Sequence, residues 1–238
     1  MMQENYNDYK KVLTQFVSLC EQNNLWYSLA NNTMLSAMTN TDYFANIGIL
    51  EVFVTNETFM FLKDKYPNNV VDFTSSDAFY LSTPFFFIQD VKKFIKIILL
   101  VPSSVEKVNK VFVLKNKIKY NFSNLLTFKK GHNASSRLIF AGLKITSPLW
   151  CPIEQNKLYD SLYHENYRGF IAINSLSEPT YKNWFPNITF KMEEVELLHI
   201  KVKVIKEYNN FLISRYGDDW KNGVDIKHSH FDYEKIKV

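Results

Sequence analysis

Two short runs, Ile47 to Val54 and Phe94 to Val101, are apolar on both alternating faces apart from one charge each, Glu51 in the first and Lys96 in the second. Along the first run Ile47, Ile49, Glu51 and Phe53 share one face, while Gly48, Leu50, Val52 and Val54 share the other. Strands that are apolar on both faces are covered on both, so the chain must place helices or loops over each side of a sheet. An ionised Glu on such a strand is costly unless it is paired. Lys96 is its natural partner, and the expectation is a Glu51–Lys96 ion pair. The alternative is that each side chain reaches solvent separately at a strand end.

The rest of the chain supplies covering elements. Tyr6, Tyr9, Leu13, Phe16, Val17 and Cys20 recur at spacings of three and four, the stripe of an amphipathic helix. Leu25 to Ala30 reads as a strand and Thr33 to Met38 as a helix with Asn32 as N-cap. Glu57 to Lys65 reads as a helix stopped by Pro67, and Val70 to Phe73, Phe79 to Leu81 and Phe85 to Ile88 as short strands. Lys110 to Leu114 and Lys117 to Phe122, separated by Lys115-Asn116, suggest a hairpin. Lys203 to Ser214 is helix-like, with Gly217 as the C-cap of its end. The apolar fraction of 46% over 238 residues supports a substantial core, and no linker or solenoid repeat divides it.

Composition removes several classes of function. The net charge of +4 is spread out, with local pairs at Lys10-Lys11, Lys92-Lys93 and Lys129-Lys130, and no nucleic-acid-binding module is visible. Two cysteines, Cys20 and Cys151, are too few for a disulfide framework, and Cys20 falls on the apolar helix face as a buried thiol. No run reaches the roughly 18 apolar residues of a membrane span, and no leader-like segment opens the chain. A cytoplasmic location is expected.

The segment Asn32-Thr33-Met34-Leu35-Ser36-Ala37-Met38, followed at fixed distance by Ile47-Gly48-Ile49-Leu50-Glu51-Val52, resembles the LicD/fukutin family of nucleotidyltransferase-fold phosphotransferases. In that family the first segment is similar to Gly-Thr-Leu-Leu-Gly-Ala and the second to Asp-Asp-Asp-Ile-Asp-Ile. A second block, Trp184-Phe185-Pro186, Phe190 to Glu196 and Tyr216-Gly217-Asp218-Asp219-Trp220, follows the order of the family's carboxy-terminal region. The resemblance covers most of residues 10 to 222, is strongest over 10–100 and 184–222, and implies one domain over 1–238. It implies an α+β fold with a mixed, mainly antiparallel sheet flanked by helices.

The resemblance also implies a chemistry, and the residues depart from it. The family's acids would hold Mg²⁺ or Mn²⁺ against the phosphates of a CDP-linked donor, moving a phosphocholine or alditol-phosphate group to a glycan. The former metal-ligand positions fall on Ile47, Gly48, Ile49 and Glu51, with a third-strand acid replaced by Lys96. The nucleotide-loop positions are Asn32, Thr33 and Ser36, where two glycines are lost. The reading that follows is a catalytically inactive binding or regulatory module that takes a nucleotide or a protein partner and needs no cofactor. One alternative is an active, divergent phosphotransferase in which Glu51 acts with Asp42 and Asp90. Another is an interaction protein whose cleft is filled. His228, His230 and Asp232 resemble a metal-binding tail, and His132 and His164 have no partner pattern. Nucleic acid is not expected as a partner.

Overall fold

The stripe of Tyr9, Leu13, Phe16, Val17 and Cys20 forms the buried side of α1, Met2–Gln22. The computed structural model describes residues 2–72, 83–89, 91–128, 141–142, 145–146, 155–176 and 178–226. Past Asn24, whose left-handed φ of 51° turns the chain, β1 (Tyr27–Leu29) leads directly into α2 (Asn31–Thr39). The expected N-cap at Asn32 is displaced: the helix starts two residues earlier, at Asn31, and the cap position is Ala30, which has no capping side chain. α3 (Tyr43–Ile47) ends on Gly48 at φ 77°, and β2 begins only at Leu50, running to Val54. Ile47 and Gly48 therefore close a helix instead of opening the strand, because a left-handed glycine is a helix terminator.

α4 (Asn56–Lys65) is capped by Thr55, whose hydroxyl accepts from the Thr58 amide at 3.3 Å, and stops before Pro67 as expected. Short strands β3 (Val70–Val71) and β4 (Phe85–Phe86) precede the long β5 (Ile95–Ser103). The expected strand at Phe79 to Leu81 lies outside the described residues. The expected hairpin over Lys110–Leu114 and Lys117–Phe122 is instead two helices, α5 (Val105–Val111) and α6 (Leu114–Phe128). Leu114, Ile118 and Phe122 recur every four residues, a helical period that outweighs the strand propensity of Val, Ile and Phe here. α7 (Gln155–Leu162), β6 (Gly169–Ala172) and β7 (Trp184–Phe185) follow. A hairpin of β8 (Met192–Leu197) and β9 (Ile200–Ile205) then gives way to α8 (Tyr208–Tyr216). The helix expected from Lys203 starts at Tyr208 because Lys203 to Ile205 complete β9, and Gly217 does cap it, at φ 96°.

Eight α-helices among the described residues surround a mixed sheet in the order β1-β2-β5-β4-β3. β5 organises this sheet. One edge pairs in parallel with β2, placing Glu51 directly opposite Lys96. The other edge is shared: Ile95 and Lys96 pair with β4, while Leu100 to Ser103 pair with β6. Every other recorded pairing is antiparallel. On one face α1 sets Phe16 edge-on against Tyr27 and Phe86, at 5.6 and 5.4 Å between ring centroids. On the other, Phe53 meets Phe185 and Phe211 of α8 at 5.4 and 5.3 Å. Each such fully buried side chain contributes about 1.5–3 kcal/mol. Cys20 is a free thiol at the core, which burial pushes up to about 12, so it packs without reacting.

Candidate functional site

Residues opposite each other on parallel strands present their side chains to the same face, and Glu51 and Lys96 do so on the face where Phe53 meets Phe211 of α8 and where α2 begins. Their charged atoms, Lys96 Nζ and Glu51 Oε1, are 3.9 Å apart. The expected pair is present, while the alternative of two side chains escaping separately to water is not: Glu51 is 5% exposed. Charge pairing is only part of what holds Glu51. Asn31 Nδ2 donates to Oε1 at 3.0 Å, and the Asn32 backbone amide and Nδ2 donate to Oε2 at 3.3 and 3.4 Å. The carboxylate thereby caps α2 from a neighbouring strand, where the helix dipole favours a negative charge and Ala30 offers no cap of its own.

Asn32, Thr33 and Ser36, which the resemblance aligns with a nucleotide loop, are engaged in internal bonds. Asn31 carries the left-handed φ of 43° that lets the chain turn from β1 into α2, and Asn accepts this conformation better than most residues. Thr33 Oγ1 accepts from the Glu51 amide at 2.7 Å. Ser36 donates to the Asn32 carbonyl at 2.7 Å and accepts from the Phe44 amide at 3.1 Å, fastening α2 to α3. Ile49, one of the positions the resemblance aligns with a metal ligand, is buried with Val71, Phe85 and Phe94 in a small apolar cluster.

Lys96 is held more closely by an amide than by the carboxylate. Its ammonium donates to Asn174 Oδ1 at 2.6 Å, just past β6 where β4 and β6 diverge along β5. Asn174 has every polar group engaged. Its Nδ2 donates to Glu178 Oε2 at 3.3 Å, its amide donates to the Ala172 carbonyl at 2.9 Å, and its carbonyl accepts from Tyr120 and Thr83 hydroxyls at 3.1 and 3.4 Å. Glu178 in turn receives a two-pronged contact from Arg215, at 3.2 and 3.0 Å, and a further bond from Asn183 at 3.4 Å. The Tyr216 hydroxyl donates to Asn32 Oδ1 at 2.9 Å, closing the circuit back to Glu51.

Two carboxylates and two cations thus balance within one polar layer. Burial raises the Glu178 carboxyl, but the adjacent Arg215 overcomes this and holds it below the usual carboxylate range. Burial likewise opposes the Arg215 charge, and Glu178 outweighs it, leaving the guanidinium above its ordinary value. Burial drives the Tyr216 hydroxyl well up, so it remains protonated and donates.

Asp42, considered as a replacement ligand, is exposed and accepts from the Tyr6 hydroxyl at 3.0 Å, beside Glu196 and His199. It is not a member of the Glu51 network. Asp90, His132, His228, His230, Asp232 and Cys151 lie outside the described residues. His164 follows α7, with its Nδ1 buried and unbonded among the described residues. No group of three or more His, Cys, Asp or Glu among the described residues is arranged to hold a metal ion. Sequence reasoning missed Asn31, Asn174, Glu178, Asn183 and Arg215. One signal was available: Arg215 is one of three arginines against 25 lysines, and arginine is favoured where a carboxylate must be gripped at both oxygens. Compared with protein-family models, curated proteins and solved structures, the chain matches none of them.

Proposed function

We propose that this chain is a catalytically inactive, LicD/fukutin-like nucleotidyltransferase-type module that binds or regulates without a metal. The observation that carries the reading is the Lys96 ammonium 3.9 Å from Glu51, at the positions where the resemblance calls for acids. The residues present do not fit a divalent cation. Glu51 is the one carboxylate at those positions, its oxygens already accept from Asn31 and Asn32, and the Lys96 ammonium fixed 3.9 Å away would repel Mg²⁺ or Mn²⁺.

A second reading is favoured by how completely the layer is closed. With Thr33, Ser36 and Asn174 all spent on internal bonds, the old cleft would serve as a structural seam of an interaction protein. Thermal unfolding with CTP, CDP-choline or CDP-ribitol, each with and without Mg²⁺ or Mn²⁺, separates them. A ligand at a hundred times its Kd adds about 2.7 kcal/mol to the folded state. The expected result is stabilisation by a nucleotide that is indifferent to metal. A shift that requires metal overturns the proposal in favour of an active phosphotransferase. No shift with any of the three selects the structural reading.

A further inference from the structure

Over its described side chains, Leu114 to Ser123, α6 turns two aliphatic residues outward. Tyr120 and Ser123 are buried on the inner side, with the Tyr120 hydroxyl bonded to the Asn174 carbonyl at 3.1 Å. Leu114 is 72% exposed and Ile118, one turn on, is 46% exposed. At 100° per residue, Lys117 falls on one flank of this stripe and Lys115 and Lys119 on the other. α6 contains no acidic residue.

The charge is concentrated as well. α5, α6 and the turn between them carry five lysines and one glutamate, a formal +4 that equals the net charge of the entire chain. The remaining residues are balanced. An exposed apolar pair, Leu114 and Ile118, flanked by lysines on both sides fits one kind of surface especially well. Apolar side chains enter the acyl boundary of a bilayer, lysine stems lie along it, and the ammonium groups meet anionic headgroups.

We propose that α6 is a docking element for an anionic lipid bilayer, lying in its surface with Leu114 and Ile118 inserted and Lys115, Lys117 and Lys119 on the headgroups. It lies on the membrane without spanning it: no helix among the described residues is long and apolar enough to cross one. This inference is independent of what the Glu51 layer binds.

The test is co-sedimentation of the full chain with vesicles of phosphatidylcholine alone and of phosphatidylcholine mixed with phosphatidylserine. Binding is expected to the mixed vesicles only, weakening as salt rises. Lys115→Gln, Lys117→Gln and Lys119→Gln together should weaken it about 100-fold, and Leu114→Ser with Ile118→Ser at least about tenfold. Circular dichroism and the urea midpoint should hold in both variants, since the changed side chains lie outside the core. Equal binding to both vesicle types, no binding, or binding retained in both variants overturns the proposal. Self-association of the free chain that Leu114→Ser with Ile118→Ser abolishes, without vesicle binding, also overturns it and makes the stripe a face between copies. Should a variant fail to fold, the lipid and salt dependence of the native chain decides.

Discussion

Glu51 and Phe53 stand two residues apart on the same face of β2, and α8 reaches toward both ends, Phe211 packing on Phe53 and the Tyr216 hydroxyl bonding Asn32, which in turn donates to Glu51. The Phe53 end is held by aromatic contacts, including Phe185 stacked on Phe211 at 5.0 Å. Such contacts are short-ranged and largely interchangeable, so their loss scales with the volume removed. The Glu51 end is held by directional bonds among groups that were costly to bury. There the harm from losing one member comes from the partner left behind, and removing both partners can be close to neutral. One seam therefore contains two kinds of cohesion.

The comparison can be broken at either end. Phe53→Ala should cost about 4 kcal/mol in urea unfolding through the cavity it leaves. Lys96→Met should cost about 3 kcal/mol by stranding the Glu51 carboxylate. Adding Glu51→Gln to it should recover much of that loss, since the neutral amide oxygen still accepts from the start of α2, whereas pairing Phe53→Ala with Phe211→Ala should recover none. A double variant at the charged end as unstable as the sum of its parts would show that the two ends do not differ in kind. Tyr216→Phe should cost about 1 kcal/mol, the loss of one buried bond to Asn32. The smallest effect is in pH dependence. Because the folded Glu178 carboxyl is held below its unfolded value, its stabilisation is present above an unfolded value of about 4.3 and is lost as pH falls through the lower folded one. Glu178→Gln should flatten the acid side of the stability profile, and an unchanged acid limb would deny Glu178 a place in the layer.

The charged pair was legible because alternation is a period of two and a lone charge in an apolar strand has few solutions. α1, α4 and the cap at Gly217 were legible because stripe, Pro and Gly act locally. α5 and α6 were not, since Val, Ile and Phe spaced by polar residues satisfy a strand over short windows and a helix over long ones. The start of β2 was misplaced because Gly48 is apolar by composition and a terminator by conformation. Asn174 and Glu178 were invisible for a further reason. Each is an ordinary loop residue whose role depends on how β6 returns beside β5, and that is a property of topology.

The facing of Glu51 and Lys96 across β2 and β5 also bears on how the chain avoids folding wrongly. The β5 segment Ile97-Ile98-Leu99-Leu100-Val101 is nearly featureless, and β2 could slide along it with little change in apolar contact. A slip of one residue would carry one charge to the opposite side of the sheet, among core side chains and away from its mate. A slip of two would set Glu51 against Phe94 or Ile98 and leave both charges unmet, the Glu51 carboxylate in the buried interior. Two residues thereby act as an address in an otherwise repetitive sequence, and their contribution is better measured by the misaligned sheets they make inaccessible than by the strength of the bond they form.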